Sequence, residues 1–184
     1  MRRILATAML GALGSCSALR PVTDGVMRSA QPGEDRLART IEHHGLRTIV
    51  CLRGPGEGAA ESARAALATG AEFWIIPMSA TRPPDASTLR ALWRVAAAAE
   101  RPLLLHCRAG VDRTGLASAL VVLHDTGDLA RAREQLALLP HGHLGWFGTA
   151  AMGNVLDAYE PWQRTLAFPD WIDLVWARQG TATR

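Results

Sequence analysis

The sequence has no lysine: all 20 of its Lys-plus-Arg positions are arginine, set against 17 carboxylates. The formal charge is therefore only +3, and the arginines are scattered rather than gathered into a stripe, which argues against a nucleic-acid-binding protein. Internal repeats, low-complexity tracts and interdomain linkers are also missing, which excludes an array of modules. The N-terminal apolar stretch from Ile4 to Leu13 is too short to span a bilayer as a settled helix. Histidines number only 6 and form no convincing ligand set. His141 and His143 flank a glycine in a turn without a cysteine or carboxylate nearby, and His43-His44 closes a helix, where cationic side chains are ordinary. No metal is expected. What remains is a chain of 184 residues, 48% hydrophobic, enough for one domain with a substantial core.

Apolar periodicity and helix breakers divide the chain into alternating elements. Asp35 to His44 reads as a helix with Leu37, Ala38 and Ile41 on one face, closed by Gly45 before a strand from Thr48 to Leu52. Ala59 to Ala68 is a second helix, closed by Gly70, and Glu72 to Ile76 a second strand. Ala86 to Ala99 is helical, and Leu103-Leu104-Leu105 after Pro102 is a short buried strand. Leu116 to Asp125, Leu129 to Leu139 and Phe147 to Leu156 are helical, with turns at Gly127 and at Pro140 to Gly145. Such alternation implies an α/β fold with a central, mostly parallel sheet of about four to five strands flanked by helices. The later helices cover the sheet, with Trp146, Trp162, Trp171 and Trp176 packing among them. This arrangement brings Arg53, Ser79 and Cys107 to one carboxyl edge, where ligands bind in such folds.

The run His106-Cys107-Arg108-Ala109-Gly110-Val111-Asp112-Arg113-Thr114-Gly115 lies where the buried strand passes into a helix. A thiol there faces unpaired helical N–H groups and the positive end of the macrodipole, which favour the nucleophilic thiolate. Gly110 permits the backbone angles or close approach needed for a loop of inward-pointing amides, so Arg108, Ala109, Gly110, Val111, Asp112 and Arg113 can surround three phosphoryl oxygens. The Arg113 guanidinium grips two of those oxygens as a planar fork, and the Thr114 hydroxyl is placed to donate to the sulfur.

This stretch resembles the signature loop of the cysteine-dependent protein tyrosine and dual-specificity phosphatases: His-Cys, five residues, then Arg and Ser or Thr. Gly25 to Pro32, with its Arg28-Ser29-Ala30-Gln31-Pro32 run, resembles the opening segment of bacterial and plant-fungal atypical members, and the likeness extends to about Tyr159. The resemblance implies a phosphocysteine on Cys107, transition-state stabilisation by Arg113 and the loop amides, hydrolysis by water, and no cofactor. It also implies that His106 orients the loop through hydrogen bonds. Two alternatives stay open: a catalytically weak phosphate-binding module on the same fold, and a rhodanese-like sulfurtransferase, which also presents a cysteine on a strand-to-helix loop.

The proton donor to the leaving group is less plainly written. Family members usually carry an aspartate on a separate loop, whereas Met78 to Asp85 offers only Asp85, which reads more simply as a helix N-cap. Asp112, just before the signature arginine, is the leading candidate acid and Asp85 the weaker one. Arg28, Arg53, Arg82 and Arg108 are expected to frame the cleft. That frame suits a phosphorylated protein or a small, multiply phosphorylated substrate. Cys51, near the end of the adjacent strand, is a candidate reversible redox partner of Cys107 by analogy with a phosphoinositide phosphatase of the superfamily. Its simpler reading is a small core residue.

Met1-Arg2-Arg3 followed by Ile4 to Leu13 has the charged and apolar regions of an export signal, and Leu13-Gly14-Ser15-Cys16 resembles the bacterial lipoprotein processing box. Residues 1–16 are thus read as a leader and 17–184 as one phosphatase-like domain. Cys16 is the candidate lipidation site, and its lipid would provide a membrane tether. Losing Arg2 and Arg3 lowers the formal charge from +3 to +1. The expected location is periplasmic or membrane-anchored; the alternative is a cytoplasmic enzyme with an apolar N-terminal helix. Processing at Cys16 is expected to be globomycin-sensitive and to vanish in Cys16→Ala, seen as a gel-mobility change. A native protein that stays unprocessed and soluble would refute lipidation.

Overall fold

The computed structural model describes residues 19–137 and 150–179. The leader with Cys16, the His141 and His143 pair, Trp146 and the start of the helix read from Phe147 lie outside those residues.

The chain opens on a hairpin, β1 (Arg20–Thr23) and β2 (Val26–Ala30), and continues through α1 (Glu34–His44), β3 (Thr48–Cys51), α2 (Ala60–Thr69) and β4 (Glu72–Ile75). It then runs through α3 (Ala86–Ala98), β5 (Leu103–Cys107), α4 (Asp112–Thr126) and α5 (Leu129–Glu134). After these come α6 (Ala150–Tyr159), α7 (Phe168–Trp171) and α8 (Ala177–Gln179). Among the described residues five strands lie in the order β1-β2-β5-β3-β4, with only the β1–β2 pairing antiparallel. An α/β domain with a mostly parallel sheet is thus what the chain forms.

Local chemistry explains the elements. In α1, Leu37 and Ile41 fall one turn apart on the buried face, Glu34 and Asp35 occupy the first turn, and His43 and His44 the last. Gly45 ends the helix in the left-handed region, φ 59°, where glycine has no Cβ to clash. Every residue of β5 is buried, because this strand is central and covered on both faces. Leu103, Leu105 and Cys107 pack with Val50, Leu52, α3 and α4, whereas Leu104 packs with Ile49 and the buried faces of α1 and α2. Successive residues of β5 therefore serve opposite layers.

Most boundaries shift by a few residues from the sequence reading, and three departures are instructive. The β1–β2 hairpin escaped it because β2 buries Arg28 and Ser29, polar residues that break the apolar signature of a strand. Helix α4 begins at Asp112 rather than Leu116, since its first turn is formed by the polar end of the signature run. Helix α5 stops at Glu134 rather than Leu139.

Of the four tryptophans expected to pack, Trp162, Trp171 and Trp176 are among the described residues, and the expectation holds for two of them. Trp171 is fully buried against Tyr159, Phe168 and Trp176, while Trp176 also donates from Nε1 to the Pro84 carbonyl at 3.0 Å. Trp162 is corrected: it is 41% exposed on the short turn after α6 and packs no core. Trp171→Ala is expected to lower stability by about 3–5 kcal/mol through transfer and cavity terms, measured by denaturant unfolding. An unchanged midpoint would place the terminal helices outside the cooperative unit.

Candidate active site

Cys107 is the last residue of β5, and Asp112 is the first of α4, so the loop between them is anchored at both ends by the core. Cys107 is 3% exposed, and its sulfur accepts a hydrogen bond from the Gly110 amide at 3.3 Å. Gly110 has φ +71° and lies against β2. A Cβ there would come within 2.4 Å of Ala30 N and Ser29 C, so both its torsion and its neighbours demand glycine. Val111, at the N-cap position of α4, supplies no side-chain cap, leaving the first-turn amides available to an anion.

Arg113 projects from the first turn of α4 and is 8% exposed. Its NH1 donates to the Met78 carbonyl at 3.2 Å and to the Leu52 carbonyl at 3.5 Å. These acceptors follow β4 and β3, so the ends of two neighbouring strands orient the guanidinium. Met78 and Leu52 act through their backbones, a role no side-chain pattern announces.

Thr114 is buried, but its hydroxyl makes no hydrogen bond, so the expected donation to Cys107 is not formed. The sulfur is served by the Gly110 amide instead. His106 is likewise corrected. Its ring is fully buried and neither nitrogen has a hydrogen-bond partner of ordinary geometry. Burial drives its pKa down from 6.5 to about 4, the Cys107 backbone opposing this and Arg53 adding to it. His106 is a neutral core ring whose remaining polar contact is with the Cys107 backbone.

Cys51 and Cys107 are both free thiols. The β3–β5 register pairs Cys51 with His106, so strand alternation turns Cys51 and Cys107 to opposite faces. Cys51 is fully buried, which raises its thiol pKa, the neighbouring Arg53 backbone opposing the rise. These features fit the reading as a small core residue.

The two candidate acids differ sharply. Asp85 caps α3: its Oδ1 accepts from Thr88 N at 2.7 Å and from Ser87 Oγ at 2.8 Å. The Thr88 amide first, then the Ser87 hydroxyl, hold its carboxyl below the usual range, which suits a permanently ionised cap. Asp112 is half-buried at the start of α4, directly beside Arg113.

The expected arginine frame is redistributed. Arg82 and Arg108 are exposed, and Arg53 is half-buried with its NH1 donating to Gln31 Oε1. Gln31 Nε2 in turn donates to the Gly58 carbonyl at 2.7 Å, fixing the amide that holds Arg53. Arg28 does not frame the cleft. It is 1% exposed behind the loop, with NH2 donating to the Gly110 and Val111 carbonyls at 3.0 Å each. The Arg-Ser-x-Gln-Pro run marked these positions without revealing that Arg28 and Gln31 work as supports.

A family model described as DSP-PTPase phosphatase fused to NAD+ Kinase matches residues 21–137, more than half the chain. The chain belongs to this phosphatase family. No curated protein matches the sequence. Among solved structures the phosphatase is similar to P. aeruginosa TpbA, with 24% identity, a TM-score of 0.57, and coverage of 86% of this chain and 90% of that one. It is also similar to the core catalytic domain of the PP-IP phosphatase SIW14 from S. cerevisiae, with 20% identity, a TM-score of 0.57, and coverage of 90% and 94%. PTPMT1 shares 13% identity and a TM-score of 0.61 over 81% of this chain and 100% of its own. At these identities the neighbours support the fold. The family places this chain among the cysteine-dependent phosphoric monoester hydrolases.

The His106 environment sets a pH dependence. Its folded pKa, about 4, lies below the ordinary 6.5, so on acidification the unfolded chain takes up this proton first. The His106 contribution to stability is therefore whole above pH 6.5, falls as pH drops toward 4, and totals roughly 3 kcal/mol. Unfolding free energies measured across that range should show this limb in the wild type and lack it in His106→Asn.

Proposed function

We propose that this phosphatase hydrolyses phosphomonoesters through a phosphocysteine on Cys107, with Arg113 and the loop amides stabilising the transferring phosphoryl group. The observation that carries this reading is the convergence on one short loop of three features. They are a thiol held by the Gly110 amide, the uncapped start of α4, and a guanidinium oriented by the Leu52 and Met78 carbonyls. In the first step the Cys107 sulfur bonds to phosphorus as the ester P–O bond breaks, and the leaving oxygen takes a proton. In the second, water attacks the phosphocysteine, freeing phosphate and restoring the thiolate. The loop is a preorganised electrostatic clamp for the equatorial oxygens in both steps.

Asp112 is the proton donor in this reading, because it stands beside the signature arginine while Asp85 is occupied as a cap. Thr114 is buried within the same first turn without a bond to the sulfur. The substrate is a phosphorylated protein side chain or a small phosphorylated molecule. TpbA has been solved with pTyr and PTPMT1 with PI(5)P, and both present the loop with the same phosphoryl chemistry. The leader reading places the enzyme in the periplasm or tethered to a membrane through Cys16, supported by the Leu13-Gly14-Ser15-Cys16 run.

Wild-type protein is expected to hydrolyse aryl and alkyl phosphates, and Cys107→Ser to abolish both activities. Asp112→Asn should cost roughly 10²- to 10⁴-fold on the alkyl ester, with its poor leaving group, and much less on an activated aryl ester. Asp85→Asn should leave that ratio unchanged. Equal losses by Asp112→Asn on both esters would remove it as the acid. Oxyanion binding without turnover would mark a binding module, and preferential thiosulfate turnover a sulfurtransferase.

A further inference from the structure

We propose that Arg28 is a positioning residue for this reaction: its guanidinium, buried behind the signature loop, holds two loop carbonyls outward and so turns the following amides toward the phosphoryl group. The inference rests on the loop being a phosphate cradle, as argued above.

The geometry is specific. Arg28 lies on β2 in register with Leu105 of β5, directly below the loop that follows Cys107. Its NH2 donates at 3.0 Å to both the Gly110 and Val111 carbonyls. Its NH1 donates to both oxygens of Gln135, the main-chain carbonyl at 2.9 Å and Oε1 at 3.1 Å. A trans peptide unit is planar, with C=O and N–H directed oppositely. Fixing the Gly110 carbonyl toward Arg28 thus directs the Val111 N–H away from it. Fixing the Val111 carbonyl does the same for the Asp112 N–H. These are amides that the anion requires.

The acceptor set explains why the residue is arginine. Two loop oxygens and two Gln135 oxygens are gripped by one planar fork, a division that a lysine ammonium cannot reproduce. Gly115 makes room for the fork to close. A Cβ there would stand 2.7 Å from Leu136 Cδ2, 3.0 Å from the Gln135 carbonyl and 3.5 Å from Arg28 NH2.

Electrostatics adds a second contribution. The four oxygens bound to Arg28 are neutral, and burying a guanidinium against neutral acceptors is costly. Burial brings its pKa down to about 10, Cys107 opposing, Arg20 adding to the fall and Asp112 opposing, so Arg28 remains a cation at neutral pH. Negative charge in the cradle, whether thiolate or bound oxyanion, is therefore drawn toward a buried positive charge. Arg28 acts through the loop and touches no substrate.

The test uses tungstate as an oxyanion probe on the full chain. Its competitive inhibition constant, kcat on an aryl phosphate and Tm are measured for wild type, Arg28→Lys and Gln135→Ala. Arg28→Lys keeps the charge but loses the fork, so tungstate affinity and kcat should each fall by roughly tenfold or more in folded protein. Gln135→Ala removes only the Oε1 acceptor and should weaken tungstate several-fold in the same direction. Lowered Tm with wild-type tungstate affinity in both variants would show a merely structural role and overturn the proposal. If Arg28→Lys does not fold, wild-type tungstate affinity in Gln135→Ala overturns it alone. Failure of the underlying reading is distinguishable, because wild type itself would then neither bind tungstate nor turn over.

Discussion

Gly110 lies so close to the backbone at Ser29 and Ala30 that a single added carbon would meet three of their atoms within 2.5 Å. The signature loop is therefore seated on β2, not merely suspended between β5 and α4. From this contact follow the left-handed torsion at Gly110, the donation from its amide to the Cys107 sulfur, and the reach of Arg28 to the carbonyls just beyond. Side chains at this junction would push the loop off its support. Its amides would then no longer converge.

Around that contact the protein buries charge selectively. Arg28 and Arg113 are nearly inaccessible, and both donate to backbone carbonyls, Arg28 also to the side-chain oxygen of Gln135. His106, equally buried, is kept neutral by desolvation. Asp85, which joins the cap of α3, keeps its charge at the surface. Positive charge is thus concentrated behind and beside the loop. This distribution supports dianion binding more directly than the modest net charge of +3 suggests.

Much of the scaffold was legible in the sequence because its signals are local. The Leu37 and Ile41 spacing, Gly45 and Gly70 after their helices, and the apolar run in β5 each express a backbone preference within a few residues. Asp85 was readable as a cap from its place before the helical run. Other features were hidden where polarity and burial part company. Arg28 and Ser29 disguise β2 as a loop, and the polar first turn of α4 resembles the loop preceding it. Trp162 carries the same residue type as Trp171, yet one is exposed on a turn and the other is enclosed by three aromatic rings.

The sequence by itself determined the composition and order of the signature run, since Cys107, Gly110 and Arg113 are close along the chain. Only the tertiary structure decided what holds that constellation. The Leu52 and Met78 carbonyls reach Arg113 across 61 and 35 positions, and Arg28 reaches the loop and Gln135 across 82 to 107. It also decided that Cys51 pairs in register with His106. The physical reason is common to all of these. A backbone carbonyl has no residue signature, and the face to which a side chain turns depends on strand register, which exists only once distant segments have paired.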